Sequence, residues 1–119
     1  MTKKKVNIGL IGLGHLGRLY ARDLATRIPA ARLAAVADIN ENAVRQVAEE
    51  YDVPKSYVKP LDLLDDPHVE AVVIAAATPA HELLVTAAAQ RGKAVFCEKP
   101  IALKLAEAFR MKEAIEHAG

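Results

Sequence analysis

Val6-Asn7-Ile8-Gly9-Leu10-Ile11-Gly12-Leu13-Gly14-His15-Leu16-Gly17 is a short apolar run that passes directly into G-x-G-x-x-G and then into residues at helical spacing. The order it predicts is strand, glycine turn, helix. Gly12 permits a tight turn out of the strand, Gly14 lets bare backbone approach a pyrophosphate, and Gly17 lets the helix lie close to the sheet. N–H groups in the first helical turn have no partner within the helix and sit at the positive end of its dipole, so a phosphate there needs no cationic side chain. Glycines also punctuate ordinary turns, so the surrounding pattern has to carry the reading.

Leu16, Leu19, Tyr20, Leu24 and Ile28 recur at helical spacing up to Pro29, which predicts a first helix with that apolar face. Residues 33–37 form a second apolar run that ends in Asp38. Asn40 is placed to cap a second helix whose apolar face is Ala43, Val44, Val47, Ala48 and Tyr51. Prolines 54, 60 and 67 leave room for a short strand at 56–58 and one helical turn at 61–64. Residues 71–75, apolar and β-branched, suit the centre of a sheet. Thr78 and Pro79 read as the cap and first turn of a helix that reaches Arg91 and stops at Gly92. A fifth strand at 94–97 and a last helix at about 103–118, through Leu105, Ala108, Met111 and Ile115, complete the chain.

Alternating strands and helices with short connections predict an α/β fold: a doubly wound parallel sheet of the Rossmann type, three layers, strand order 3-2-1-4-5, one domain over residues 1–119. Ligands of such sheets lie beyond the carboxyl ends of the strands, between strands one and four. Asp38 lies 21 residues after Gly17, near the roughly 20 expected of an acid that accepts from the ribose hydroxyls of a dinucleotide. A carboxylate there attracts those hydroxyls and repels an added phosphate, which favours NAD over NADP. The competing reading makes Asp38 a helix cap supported by Glu41.

Composition narrows the classes. The 119 residues are 52% hydrophobic, enough for one core, and 16 basic against 15 acidic residues leave no charge footprint for nucleic acid or an anionic membrane. Asn7, Gly9, Gly12 and Gly14 interrupt the first apolar run, so it reads neither as a signal-peptide core nor as a spanning helix. One cysteine, Cys97, permits no internal disulfide and fits a reducing, cytoplasmic compartment.

The glycine turn, Val36-Ala37-Asp38, Asp62-Leu63-Leu64, Val72-Val73-Ile74-Ala75, His81 and Gly92-Lys93-Ala94-Val95-Phe96-Cys97-Glu98-Lys99-Pro100 together resemble the N-terminal half of the glucose-fructose oxidoreductase and inositol dehydrogenase family (Gfo/Idh/MocA). The likeness covers essentially the whole chain, and Glu98-Lys99-Pro100 is its most specific part. It implies NAD(P)-dependent oxidation of a secondary alcohol on a sugar, inositol or similar polyol, with a second, substrate-binding domain that this sequence does not contain. It further implies that Lys99 is the catalytic lysine, hydrogen-bonding the reacting hydroxyl as hydride leaves, and that the Lys99-Pro100 bond is cis. The family's general base, a histidine of an Asp-x-x-x-His motif, belongs to that second domain. Ala76-Ala77 stand where many members have Thr-Pro, so contacts there come from backbone.

The expected cofactor contacts are therefore Gly12, Gly14, His15, Leu16, Gly17, Asp38, Ile39, Ala76, Ala77, Thr78, Glu98 and Lys99, with His15 contributing its backbone N–H. His81 is expected to cap or pack at a helix start. Cys97 reads as an inert core thiol, and His68 and His117 have no partners at metal-ligand spacing, so no metal is expected. Two functions follow: the cofactor half of a polyol dehydrogenase, or a free-standing or engineered nucleotide-binding domain without catalysis. An open sheet edge at strand five predicts dimerisation.

Overall fold

The computed structural model of the chain describes residues 5–76 and 80–97. Five strands, β1 (Val6–Ile11), β2 (Ala31–Ala37), β3 (Lys55–Tyr57), β4 (Ala71–Ile74) and β5 (Ala94–Cys97), pair in parallel in the order β3-β2-β1-β4-β5. The doubly wound order read from the sequence is thus the observed one. At the end of β1, Ile11 lies beside Ala37 of β2 and Ile74 of β4. The chain leaves β1 toward β2 and returns on its other side at β4, so this is the switch point.

The two-residue period of the strands sorts the core into two halves. Ile11, Ala35, Ala37, Val72 and Ile74 pack with Leu63 and Leu64 of α3 (Pro60–Leu64) and with Leu84 and Val85 of α4 (His81–Gln90). Leu10, Val36 and Val73 pack with Ala21 and Leu24 of α1 (His15–Thr26) and with Val44 and Val47 of α2 (Glu41–Glu50). Helices thus cover both faces, which is why the central strands β1, β2 and β4 are apolar over most of their length, while the edge strand β3 is polar. Asn40 caps α2 as its sequence position predicts, its side chain accepting from the Ala43 N–H at 3.2 Å.

Several expectations are corrected. α1 stops at Thr26 with Arg27 as its C-cap, so Ile28 lies outside it and is exposed. The buried stripe of α1 is Gly17, Ala21 and Leu24, while Leu16 and Leu19 are 42% and 37% exposed. Close approach at Gly17 draws the small residues Gly17 and Ala21 onto the sheet in the first turns, and Leu24 follows one turn later. β3 begins one residue earlier than expected, and β4 ends at Ile74. The N-cap of α4 is Ala80, in the αR region at φ −87° and with no side-chain cap, rather than Thr78. Thr78 and Pro79 lie outside the described residues, as does the helix expected at 103–118. Among the described residues no helix is long and apolar enough to cross a membrane.

Candidate functional site

The carboxyl ends of β1, β2 and β4 meet at the glycine turn. Gly12 has φ +100°, and a Cβ on it would lie 2.5 Å from the Ala76 N and 2.6 Å from the Ala75 C, so both conformation and space require glycine. Its N–H donates to the Ala37 carbonyl at 2.9 Å, tying the turn to β2. A Cβ on Gly17 would collide with the Gly12 carbonyl oxygen. Gly14 differs from both: a Cβ built there meets nothing within 4 Å. As the N-cap of α1 it supplies no side chain, and the first turn carries no acidic residue. The start of α1 is therefore sterically and electrostatically open to an anion.

Asp38 stands directly after β2. Its Oδ2 accepts from the Leu13 N–H at 2.6 Å, its Oδ1 accepts from the Asn40 N–H at 2.8 Å, and its own N–H donates to the Tyr57 carbonyl at 3.3 Å. It reaches back to the glycine turn, whereas Asn40 performs the capping that the competing reading gave to Asp38. An ionised carboxylate has about four acceptor positions. Two are used, leaving about one on each oxygen.

A cavity of about 760 Å³ opens here. Gly12, Gly14, Asp38 and Ile39 line one side, the segment Val58-Lys59-Pro60-Leu61-Asp62 lines another, and Ala75, Ala76, Ala80, Leu83 and Leu84 complete it. Ile39 and Leu83 are 85% and 64% exposed, large apolar side chains held at a cavity rather than in the core. Of the residues expected from the sequence, the structure brings Gly12, Gly14, Asp38, Ile39 and Ala76 together around this space. His15, Leu16 and Gly17 form the adjoining first turn of α1. Ala77, Thr78, Glu98 and Lys99 lie outside the described residues. The segment 58–61 and the pair Leu83 and Leu84 were missed as lining residues, although apolar residues beside Pro60 were a legible signal.

His81 is 2% exposed, and its Nε2 lies 2.8 Å from the Ala76 carbonyl. A carbonyl only accepts, so Nε2 carries the proton. The ring thereby fixes the peptide of Ala76 in the cavity wall.

Behind α3, Asp66 is buried at 6% exposure and accepts from the Tyr57 hydroxyl at 2.9 Å and from the His68 N–H at 2.9 Å. Burial would raise its carboxyl, but the hydrogen bonds from His68 and Tyr57 outweigh it and hold the group below the ordinary 3.8. Burial, and then the bond to Asp66, push the Tyr57 hydroxyl above 10.0. The Lys93 ammonium donates to the Asp66 and Val69 carbonyls at 2.9 and 2.6 Å, and burial lowers it from 10.5 against the pull of Asp66. Among the described residues no three His, Cys, Asp or Glu side chains group as they would around a metal ion.

A glycine turn entering a helix at the switch point, an acid after the neighbouring strand and a cavity between them define a dinucleotide-binding domain of the Rossmann class. The chain belongs to the Gfo/Idh/MocA family, described as an oxidoreductase family with an NAD-binding Rossmann fold, whose sequence model matches residues 6–119. It is 42% identical over 113 residues to a myo-inositol 2-dehydrogenase of Thermotoga maritima, covering 95% of this chain and 34% of that protein. A scyllo-inositol 2-dehydrogenase (NAD(+)) of Bacillus subtilis is 36% identical over 97% of this chain and 34% of its own length. Among solved structures, scyllo-inositol dehydrogenase of Lactobacillus casei with bound NAD(H) and scyllo-inositol superposes with a TM-score of 0.92 at 29% identity, over 97% of this chain and 34% of that one. The chain spans about a third of the length of these relatives.

Proposed function

We propose that this chain is the cofactor-binding part of an NAD-dependent dehydrogenase that oxidises a secondary alcohol of an inositol-like polyol. The observation that carries the reading is Asp38, fixed by two main-chain N–H groups with one acceptor position on each oxygen left beside the cavity. That arrangement suits the two vicinal hydroxyls of an adenosine ribose. The open backbone at Gly14 suits the pyrophosphate, and Ile39, Val58 and Leu61 suit the flat faces of adenine. NAD when bound supplies the hydride acceptor. The polyol substrate is inferred from the names of the relatives, and the role of Lys99 as the group hydrogen-bonding the reacting hydroxyl from the family likeness.

NAD is favoured over NADP because the carboxylate cannot swing aside: both oxygens are anchored, so a 2′-phosphate meets a stationary negative charge. A parallel titration with NADH and NADPH, followed by nicotinamide fluorescence, is expected to show NADH binding at least tenfold tighter. Equal affinities would overturn this selectivity, and binding of neither would overturn the cofactor site.

One observation supports self-association in addition. Tyr20 of α1 meets Phe96 of β5 edge to face at 6.1 Å, Phe96 remains 54% exposed, and Leu16 and Leu19 of α1 are exposed as well. A dimer formed over these apolar side chains is the expected species in solution. A monomer mass by light scattering at millimolar concentration would overturn it.

A further inference from the structure

One wall of the cavity is made of residues 58–62, the two residues after β3 and the first three of the five-residue α3. So short a helix does not hold its own position. Its internal bonds are few, such as Asp62 N–H to the Lys59 carbonyl and Asp65 N–H to the Leu61 carbonyl. Leu63 and Leu64 anchor its far side in the core, and Arg91 holds Asp65 at 2.7 Å, while a further tie joins its two ends. Tyr57, the last residue of β3, and Asp66, just past α3, are joined by the hydroxyl-to-carboxylate bond of 2.9 Å. This bond closes the ten residues 57–66 into a loop stapled at its base. Tyr57 also accepts the Asp38 N–H on its carbonyl. One residue therefore ties both sides of the cavity, the acid through its main chain and the wall 58–62 through its side chain.

Resting on the cofactor reading above, we propose that Tyr57 is a positioning residue for the adenosine end of the dinucleotide, acting through Asp66 on the wall 58–62. It touches no reacting group. The bond is shielded: Asp66 is almost fully buried, and Tyr57 packs its ring against the core that contains Leu63, Leu64 and Val69. A hydrogen bond accepted by a buried carboxylate is stronger than a neutral, exposed one. The second anchor of Asp66 is the His68 N–H two residues on, and the Lys93 ammonium, just before β5, donates to its carbonyl. The wall thus leaves β3 at Tyr57 and is anchored by Leu63 and Leu64 at its far side, and the Tyr57 hydroxyl is the bond that closes the base of the loop.

Tyr57→Phe deletes that hydroxyl and keeps the ring packing. Two readouts in the purified full chain decide the matter. Amide hydrogen exchange without ligand is expected to speed up about tenfold at residues 61–66 and to stay unchanged at 43–47 of α2. ADP-ribose, which carries no nicotinamide, is expected to bind about five- to tenfold more weakly. Val47→Ala, which opens a hole under α2 away from the cavity, is the control and is expected to leave ADP-ribose affinity unchanged wherever it is folded. Unchanged ADP-ribose affinity in Tyr57→Phe overturns the proposal, as does exchange that rises equally in both segments. Failure of the unmodified chain to bind ADP-ribose overturns the cofactor reading instead, and exchange at 61–66 then decides the tie by itself.

Discussion

Gly17→Ala is expected to lower the melting temperature by roughly 12 °C or more, measured by circular dichroism on heating. The added methyl group would occupy the place of the Gly12 carbonyl oxygen and lie 2.7 Å from the Gly12 carbon. Both are backbone, so no side-chain rotation relieves the overlap. Moving the carbonyl away turns Gly12, which is already held at φ +100° with Ala75 and Ala76 closely behind it. Moving α1 away lifts Ala21 and Leu24 from the core. Either route costs on the order of 3 kcal/mol or more, and a domain of this size loses roughly 4 °C per kcal/mol. Alanine's better helix propensity returns only about 1 kcal/mol, so the sign is set by the collision. Gly14→Ala is the matched control. Its Cβ meets nothing within 4 Å and its φ is −72°, so its melting temperature is expected to change by only a few degrees. A Gly17→Ala protein as stable as the original would show that α1 does not pack through this contact.

The parts of the fold and site that were legible in the sequence are those fixed by local rules. The G-x-G-x-x-G spacing places a turn whose sterics depend on a few neighbours, and the apolar runs at 71–75 and 94–97 are long enough to define strands. Asp38 was legible because a fixed count from the glycine turn leads to the tip of the next strand. Asn40 was legible as a cap by its residue type and position. The face of α1 was legible only in part: Leu24 and Tyr20 do pack on the core, but periodicity weighted by hydrophobicity also selects Leu16 and Leu19, while close approach at Gly12 and Gly17 selects Gly17 and Ala21. That preference comes from a backbone contact between a turn and a helix, not from side-chain hydrophobicity. The wall at 58–62 was missed for a related reason. Its apolar residues beside Pro60 were readable, but the bond between Tyr57 and Asp66 that closes it into a loop appears only once β3 and α3 are placed. The His81 bond to Ala76 likewise joins the start of α4 to the end of β4, a pairing that no local rule foretells.

Asp38→Ala is expected to weaken NADH binding about 100-fold and to weaken NADPH binding much less, so that the ratio of the two dissociation constants collapses toward one. The carboxylate has one acceptor position left on each oxygen, enough for both hydroxyls of a ribose. A hydrogen bond to a charged group contributes about 1.5 kcal/mol or more, and two of them give roughly 3 kcal/mol, or about two powers of ten in affinity. NADPH loses less because its 2′-phosphate gains nothing from the carboxylate and is relieved of its repulsion. The substitution also releases the Leu13 and Asn40 N–H groups from their acceptor, loosening the glycine turn for both nucleotides. Asp38→Asn separates these effects. It removes the charge and keeps one carbonyl acceptor, so it should retain part of the strut while losing most of the selectivity. Measured dissociation constants for both nucleotides with the three proteins give the comparison. NADH binding within threefold of the original in Asp38→Ala would mean that the ribose is held elsewhere, and that Asp38 serves only to fasten β2 to the glycine turn.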